Sequence, residues 1–81
     1  MPETIRIAVI DDHPIFIGGL KRALKMSPEF AVVAEGASAD DAVRIAREVS
    51  PDIMLLDISM PGDGIEAARQ IAAIAPGVRI I

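Results

Sequence analysis

Apolar positions along the chain switch between a near-continuous spacing and a helical one. Ile5, Ile7, Ala8, Val9 and Ile10 form an apolar run broken by Arg6, the pattern of a strand covered on both faces. Arg6 reads as the exposed start of that strand. From Pro14 the period changes: Phe16, Leu20, Ala23 and Leu24 recur at helical spacing, with Lys21, Arg22 and Lys25 on the other side and in the last turn. Gly18 and Gly19 inside this stripe weaken the helix by up to about 1 kcal/mol each relative to Ala, so packing has to hold it. Ser27 and Pro28 end it, and Ala31 to Ala34 reads as a short second strand.

Ser38 has the character of an N-cap, with Asp41 three residues on. Ala39, Ala42, Val43, Ala46 and Val49 then make the apolar stripe of a second helix. After Ser50 and Pro51, the segment Asp52 to Asp57 predicts a third strand. A turn through Met60, Pro61, Gly62 and Gly64 leads to a third helix from about Ile65 to Ala75. Pro76 and Gly77 break it, and Val78 to Ile81 is a fourth apolar run. Strand and helix alternate throughout, which implies right-handed crossovers and a parallel sheet in an α/β sandwich.

Two of the strands end in acid: Asp11 and Asp12 follow the first, and Asp57 closes the third. The carboxyl ends of parallel strands lie side by side, so these three carboxylates converge at one edge of the sheet, where a hard cation such as Mg²⁺ would find oxygen ligands. Without a cation, crowding should raise the pKa of at least one of them. Each acid also has a plainer reading. Asp12 can cap the first helix, with Pro14 in its first turn, and Asp57 can form a turn. His13 reads as a surface residue, because Mg²⁺ prefers oxygen. Asp40, Asp41, Arg44, Arg47 and Glu48 read as a solvated helix face, and Met54 and Met60 as core and turn packing.

Composition narrows the field. The 81 residues make room for one domain, and an apolar fraction of 52% is ample for a core despite two aromatic residues, Phe16 and Phe30. A net charge of −4, with the eight Lys and Arg scattered, gives no footprint for nucleic acid in this segment. No apolar stretch reaches the roughly 20 residues that span a bilayer, and no signal-peptide pattern precedes Ile5. The chain has no cysteine, so disulfides and thiolate metal sites are excluded. A cytoplasmic protein with no membrane contact is the simplest expectation.

The segments IRIAVIDDHPIFIGGLKRAL, FAVVAEGASADDAVRIA and PDIMLLDISMPGDGIEAARQI resemble the phosphoacceptor receiver domains of two-component response regulators, especially those of LuxR/NarL-type transcription regulators. The resemblance runs from Ile5 to Ile81. It implies a doubly wound, flavodoxin-like α/β fold of strand order 2-1-3-4, with residues 1–81 forming a C-terminally incomplete receiver that lacks the fifth strand and last two helices. It makes Asp57 the acceptor of a phosphoryl group from a histidine kinase. Asp12 would hold Mg²⁺ directly, Asp11 through water, and Ser59 through its backbone carbonyl, with Asp57 completing the metal site. The chain would be a signalling phosphoacceptor and not an enzyme, assisting only its own phosphoryl transfer. A homodimer is a further partner state the family implies, and DNA would be reached only through an output domain outside this segment.

Two departures stand out. The turn from Met60 to Gly64 is one residue shorter than is common in the family. The family's Ser or Thr at the end of strand four and Lys at the end of strand five have no counterpart within these residues. A truncated receiver that docks or self-associates through its strand-four edge without phosphate is the alternative function. A Mg²⁺-dependent phosphatase using an aspartyl phosphate is a third, less favoured by the matches around Asp57.

Overall fold

Every apolar run becomes a strand and every helical stripe a helix, in the alternating order the sequence predicts. The computed structural model describes residues 4–60 and 62–81. Its elements are β1 (Ile5–Ile10), α1 (Pro14–Lys25), β2 (Phe30–Gly36), α2 (Ala39–Glu48), β3 (Ile53–Leu56), α3 (Gly64–Ile74) and β4 (Arg79–Ile80). The four strands are parallel in the order β2-β1-β3-β4, which is the doubly wound arrangement expected.

Boundaries differ from the pattern in instructive places. β2 runs from Phe30 to Gly36, one residue earlier and two residues later than the predicted Ala31–Ala34, because β1 offers ladder partners from Ile5↔Phe30 to Ile10↔Gly36. The register slips between Ile7 and Ala8, where Val33 is skipped, so β2 carries one extra residue. β3 stops at Leu56, which leaves Asp57 just outside the strand.

The core lies between the sheet and the α2/α3 layer. Ala8, Ile10 and Met54 from the strands meet Ala42, Ile45 and Ala46 of α2, Ile71 of α3, and Met60 and Val78. The stripe Ala39, Ala42, Ile45 and Ala46 is wholly buried, and Ser38 caps it as predicted, its Oγ accepting from Asp41 N at 3.2 Å. Asp41 returns the bond by accepting from Ala37 N at 2.9 Å. α3 is capped by Asp63, whose Oδ1 accepts from Glu66 N at 2.9 Å.

Arg6 is not a simple exposed strand start. It is half-buried, and its guanidinium donates to the carbonyls of Ser50 (3.0 Å) and Val49 (2.8 Å), two of the acceptors that the end of α2 leaves free. Ser50 takes the left-handed conformation (φ 48°) that closes a helix, and so presents its carbonyl to Arg6.

The opposite face is thinly covered. None of the residues of α1 is buried, and Phe16 remains 55% exposed. Phe16 and Leu20 border a groove of about 360 Å³ with Val9, Leu55, Leu56 and Ile81 instead of filling it.

The short turn before α3 passes close to α2. Gly62 sits at φ 95°, and a Cβ there would lie 2.8 Å from that of Ala39. Pro61, which the sequence reading also placed in this turn, lies outside the described residues.

Two predictions follow from this packing. Met54 is fully buried in the core, so Met54→Ala should destabilise the fold by about 2–5 kcal/mol in urea denaturation, with an unchanged slope. The Asp41 carboxyl is held below the usual carboxylate range, first by the Ala37 N–H and then by Arg44. A depressed folded-state pKa gives stability that is fully present above the unfolded value near about 3.9 and is lost as pH falls through the lower folded one. Asp41→Asn should therefore flatten the acid limb of the stability profile, as read by denaturant midpoints from neutral pH down to about 3.

Candidate functional site

Hydrogen bonding of the sheet continues one residue past the strands and fixes where the acids stand. Asp11 N donates to Gly36 O and Asp57 N to Ile10 O, each at 3.0 Å. Asp11 and Asp57 thus emerge side by side at the carboxyl edge of the sheet, with Asp12 next to them. Their side chains are unequally covered, at 11% exposed for Asp11, 34% for Asp12 and 23% for Asp57. One ligand atom from each of Asp11, Asp12, His13 and Asp57 falls within 4.8 Å of all the others.

Asp12 does not cap α1. The N-cap is His13, in extended conformation (φ −110°, ψ 96°), and no side chain caps the helix. His13 N donates to Asp11 Oδ1 at 2.9 Å, and His13 Nδ1 lies 2.7 Å from the same oxygen, 3.1 Å from Asp12 Oδ1 and 3.9 Å from Asp57 Oδ2. A carboxylate can only accept, so Nδ1 carries the proton. The bond to Asp11, followed by the charge of Asp12, raises the His13 pKa. The ring is largely exposed, as the surface reading has it, but its Nδ1 reaches into the acidic cluster. The signal that could have found it is Pro14, which biases the preceding residue toward extended backbone and so turns His13 back over the strand end.

Asp57 has two different oxygens. Oδ1 accepts from both the main-chain N–H of Ser59 (2.9 Å) and its Oγ–H (2.7 Å), while Oδ2 lies 3.9 Å from His13 Nδ1. Ser59 was singled out from the sequence for its carbonyl alone; its hydroxyl and N–H are an additional contribution. These donors, hydroxyl first, hold the Asp57 pKa below the ordinary carboxylate value, with His13 contributing less. The upward shift expected from crowding is not found at Asp57, where hydrogen bonding lowers the pKa instead.

The donor set suits a hard divalent cation. Three carboxylates converge within one ion's coordination reach, Asp11 is already mostly desolvated, and the cluster lies at a strand edge open to an incoming ligand. Among the described residues no helix is long and apolar enough to cross a membrane.

Comparison with known proteins agrees with this geometry. The model of the response regulator receiver domain matches residues 7–81. The transcriptional regulatory protein DegU of Brevibacillus brevis is 44% identical over 78 residues, covering 95% of this chain and 33% of its own length. A LuxR-family response regulator from Aurantimonas superposes with a TM-score of 0.88 at 46% identity, over 96% of this chain and 56% of that one. The signal receiver domain of the response regulator NarL from Mycobacterium tuberculosis gives 0.90 at 38% identity, over 98% and 64%. The chain thus spans about a third of the curated relative's length and less than two thirds of either solved chain. With the parallel 2-1-3-4 sheet and the acids at its carboxyl edge, these matches establish that the chain belongs to the response regulator receiver domain family.

Proposed function

We propose that Asp57 is the phosphoacceptor of this receiver and that Asp11, Asp12, Asp57 and the backbone carbonyl of Ser59 hold the Mg²⁺ that the transfer requires. The observation that carries the reading is the convergence of the three carboxylates within 4.8 Å of one another at the carboxyl edge of the sheet. Bound there, Mg²⁺ would neutralise the negative oxygens of the donor phosphoryl group.

The chain's own residues prepare the acceptor. Ser59 fixes the carboxylate through Oδ1 and keeps it ionised, so Oδ2 is the oxygen presented to a phosphoryl group. Sheet hydrogen bonding from Asp57 N to Ile10 O holds the acceptor's main chain beside Asp11 at the end of β1. The chain supplies a carboxylate for a single transfer and acts on itself, so it is a signalling phosphoacceptor and not an enzyme with an outside substrate.

Receiver domains of this family are phosphorylated by histidine kinases, and a histidine kinase is the proposed donor here. Residues 1–81 are read as the N-terminal part of one receiver in a cytoplasmic regulator. Its output domain would bind DNA, which the transcriptional role named for DegU supports, and a homodimer is the proposed assembly.

Incubating the protein with Mg²⁺ and a small phosphodonor such as acetyl phosphate should add one phosphate per chain by intact mass. Chelation of the metal or Asp57→Asn should abolish the adduct, and Asp12→Asn should weaken Mg²⁺ binding by about tenfold or more, equivalent to about 1.4 kcal/mol. An adduct that survives in Asp57→Asn, or its absence with Mg²⁺ present, would remove Asp57 from this role.

A further inference from the structure

The donors on Asp57 do not treat its free and phosphorylated forms alike. Ser59 gives both its main-chain N–H (2.9 Å) and its Oγ–H (2.7 Å) to Oδ1. With Asp57 as phosphoacceptor, the phosphoryl group attaches to Oδ2, and Oδ1 becomes the carbonyl oxygen of an acyl phosphate. A hydrogen bond to an ionised carboxylate is roughly twice as strong as one between neutral groups. Ser59 therefore favours the free form.

The loop holds these donors in place. Asp57 N is bonded to Ile10 O at 3.0 Å, and Met60, the residue after Ser59, is buried in the core. Gly64 packs so closely on the same loop that a Cβ there would lie 2.7 Å from Ile58 Cα. Ser59 sits between these fixed points while remaining exposed itself. Donors fixed in advance act on charge as it develops, with no cost of reorganisation.

We propose that the Ser59 hydroxyl shortens the life of the phosphorylated state by stabilising the Asp57 carboxylate as it leaves phosphorus. This rests on Asp57 as the phosphoacceptor and gives its neighbour a timing role. In hydrolysis the water oxygen bonds to phosphorus, the bond from phosphorus to Oδ2 breaks, and its electron pair stays on Asp57. Both water protons depart on the inorganic phosphate as H₂PO₄⁻, with no redox change. Charge returning to the carboxylate spreads onto Oδ1, so the hydroxyl bond is stronger in the transition state than in the acyl phosphate. The same preference makes free Asp57 a poorer nucleophile, and the hydroxyl lowers the phosphorylated fraction in both directions.

Ser59→Ala removes the hydroxyl and keeps the main-chain N–H, and Ser59→Thr restores a hydroxyl at the same place. Wild type and both variants, checked for folding by circular dichroism, would be phosphorylated with Mg²⁺ and acetyl phosphate and freed of donor. Loss of the adduct would then be followed by intact mass, with Mg²⁺ retained and after chelation. The half-life in Ser59→Ala should be longer by about threefold or more under both conditions, that in Ser59→Thr within about twofold of wild type, and all three equal in denaturant. In infrared difference spectra of the phosphorylated proteins, the acyl carbonyl stretch should lie higher in Ser59→Ala than in wild type. A Ser59→Ala half-life equal to or shorter than that of wild type, or a carbonyl band that does not move, overturns the proposal. Failure of the underlying reading looks different and takes this inference with it: wild type then forms no adduct, or Asp57→Asn forms the same one.

Discussion

The structure depends on holding like charges together at the carboxyl edge of a parallel sheet. Register decides this: Ile10 pairs with Leu56 and with Gly36, so the next residues, Asp11 and Asp57, stand abreast whatever their mutual repulsion. The sheet can impose the arrangement because the strands behind those acids are buried from Ile7 through Ile10, with Met54 fully enclosed alongside. A one-residue slip of β3 would separate the acids and turn its core side chains to the other face. Core packing and charge convergence are therefore one constraint.

That constraint is enforced from one side. α2 and α3 seal the face bearing Ala8, Ile10 and Met54, and their caps at Ser38 and Asp63 are both satisfied. α1 has no buried residue and no capping side chain. The position of α1 instead follows from its connection at Pro14, from an ion pair between Lys21 and Glu35 on β2, and from the His13 contacts to the acids. The helix with no buried residue thus begins at the functional site.

The legible parts of the sequence were those written as periodic patterns. Continuous apolar runs mark all four strands, and the acids at the ends of two of them mark the cluster. The missed features depend on long-range partners. Arg6 resembles a solvent-facing interruption until Val49 and Ser50 bring their carbonyls to it from more than forty residues away. The extra residue at Val33 is set by the pairing of β2 with β1 and has no local signature. Asp63 looks like one more turn residue in the sequence, where nothing local separates the turn from the cap of α3. His13 was read from the ligand preference of Mg²⁺ alone, and that preference says nothing about where Pro14 sends the ring.

The acceptor site becomes directional through the difference between the oxygens of Asp57. A free carboxylate offers two equivalent atoms. Here two Ser59 donors engage Oδ1, and the same bonds that lower its pKa also draw charge away from that oxygen. Oδ2 is left without a Ser59 donor, 3.9 Å from the His13 nitrogen. Whatever positive group occupies the cluster, an imidazolium or a metal ion, meets the acceptor through that one oxygen. Ser59 and His13 therefore act on opposite sides of a single carboxylate, the first setting its orientation and the second competing for the face it presents.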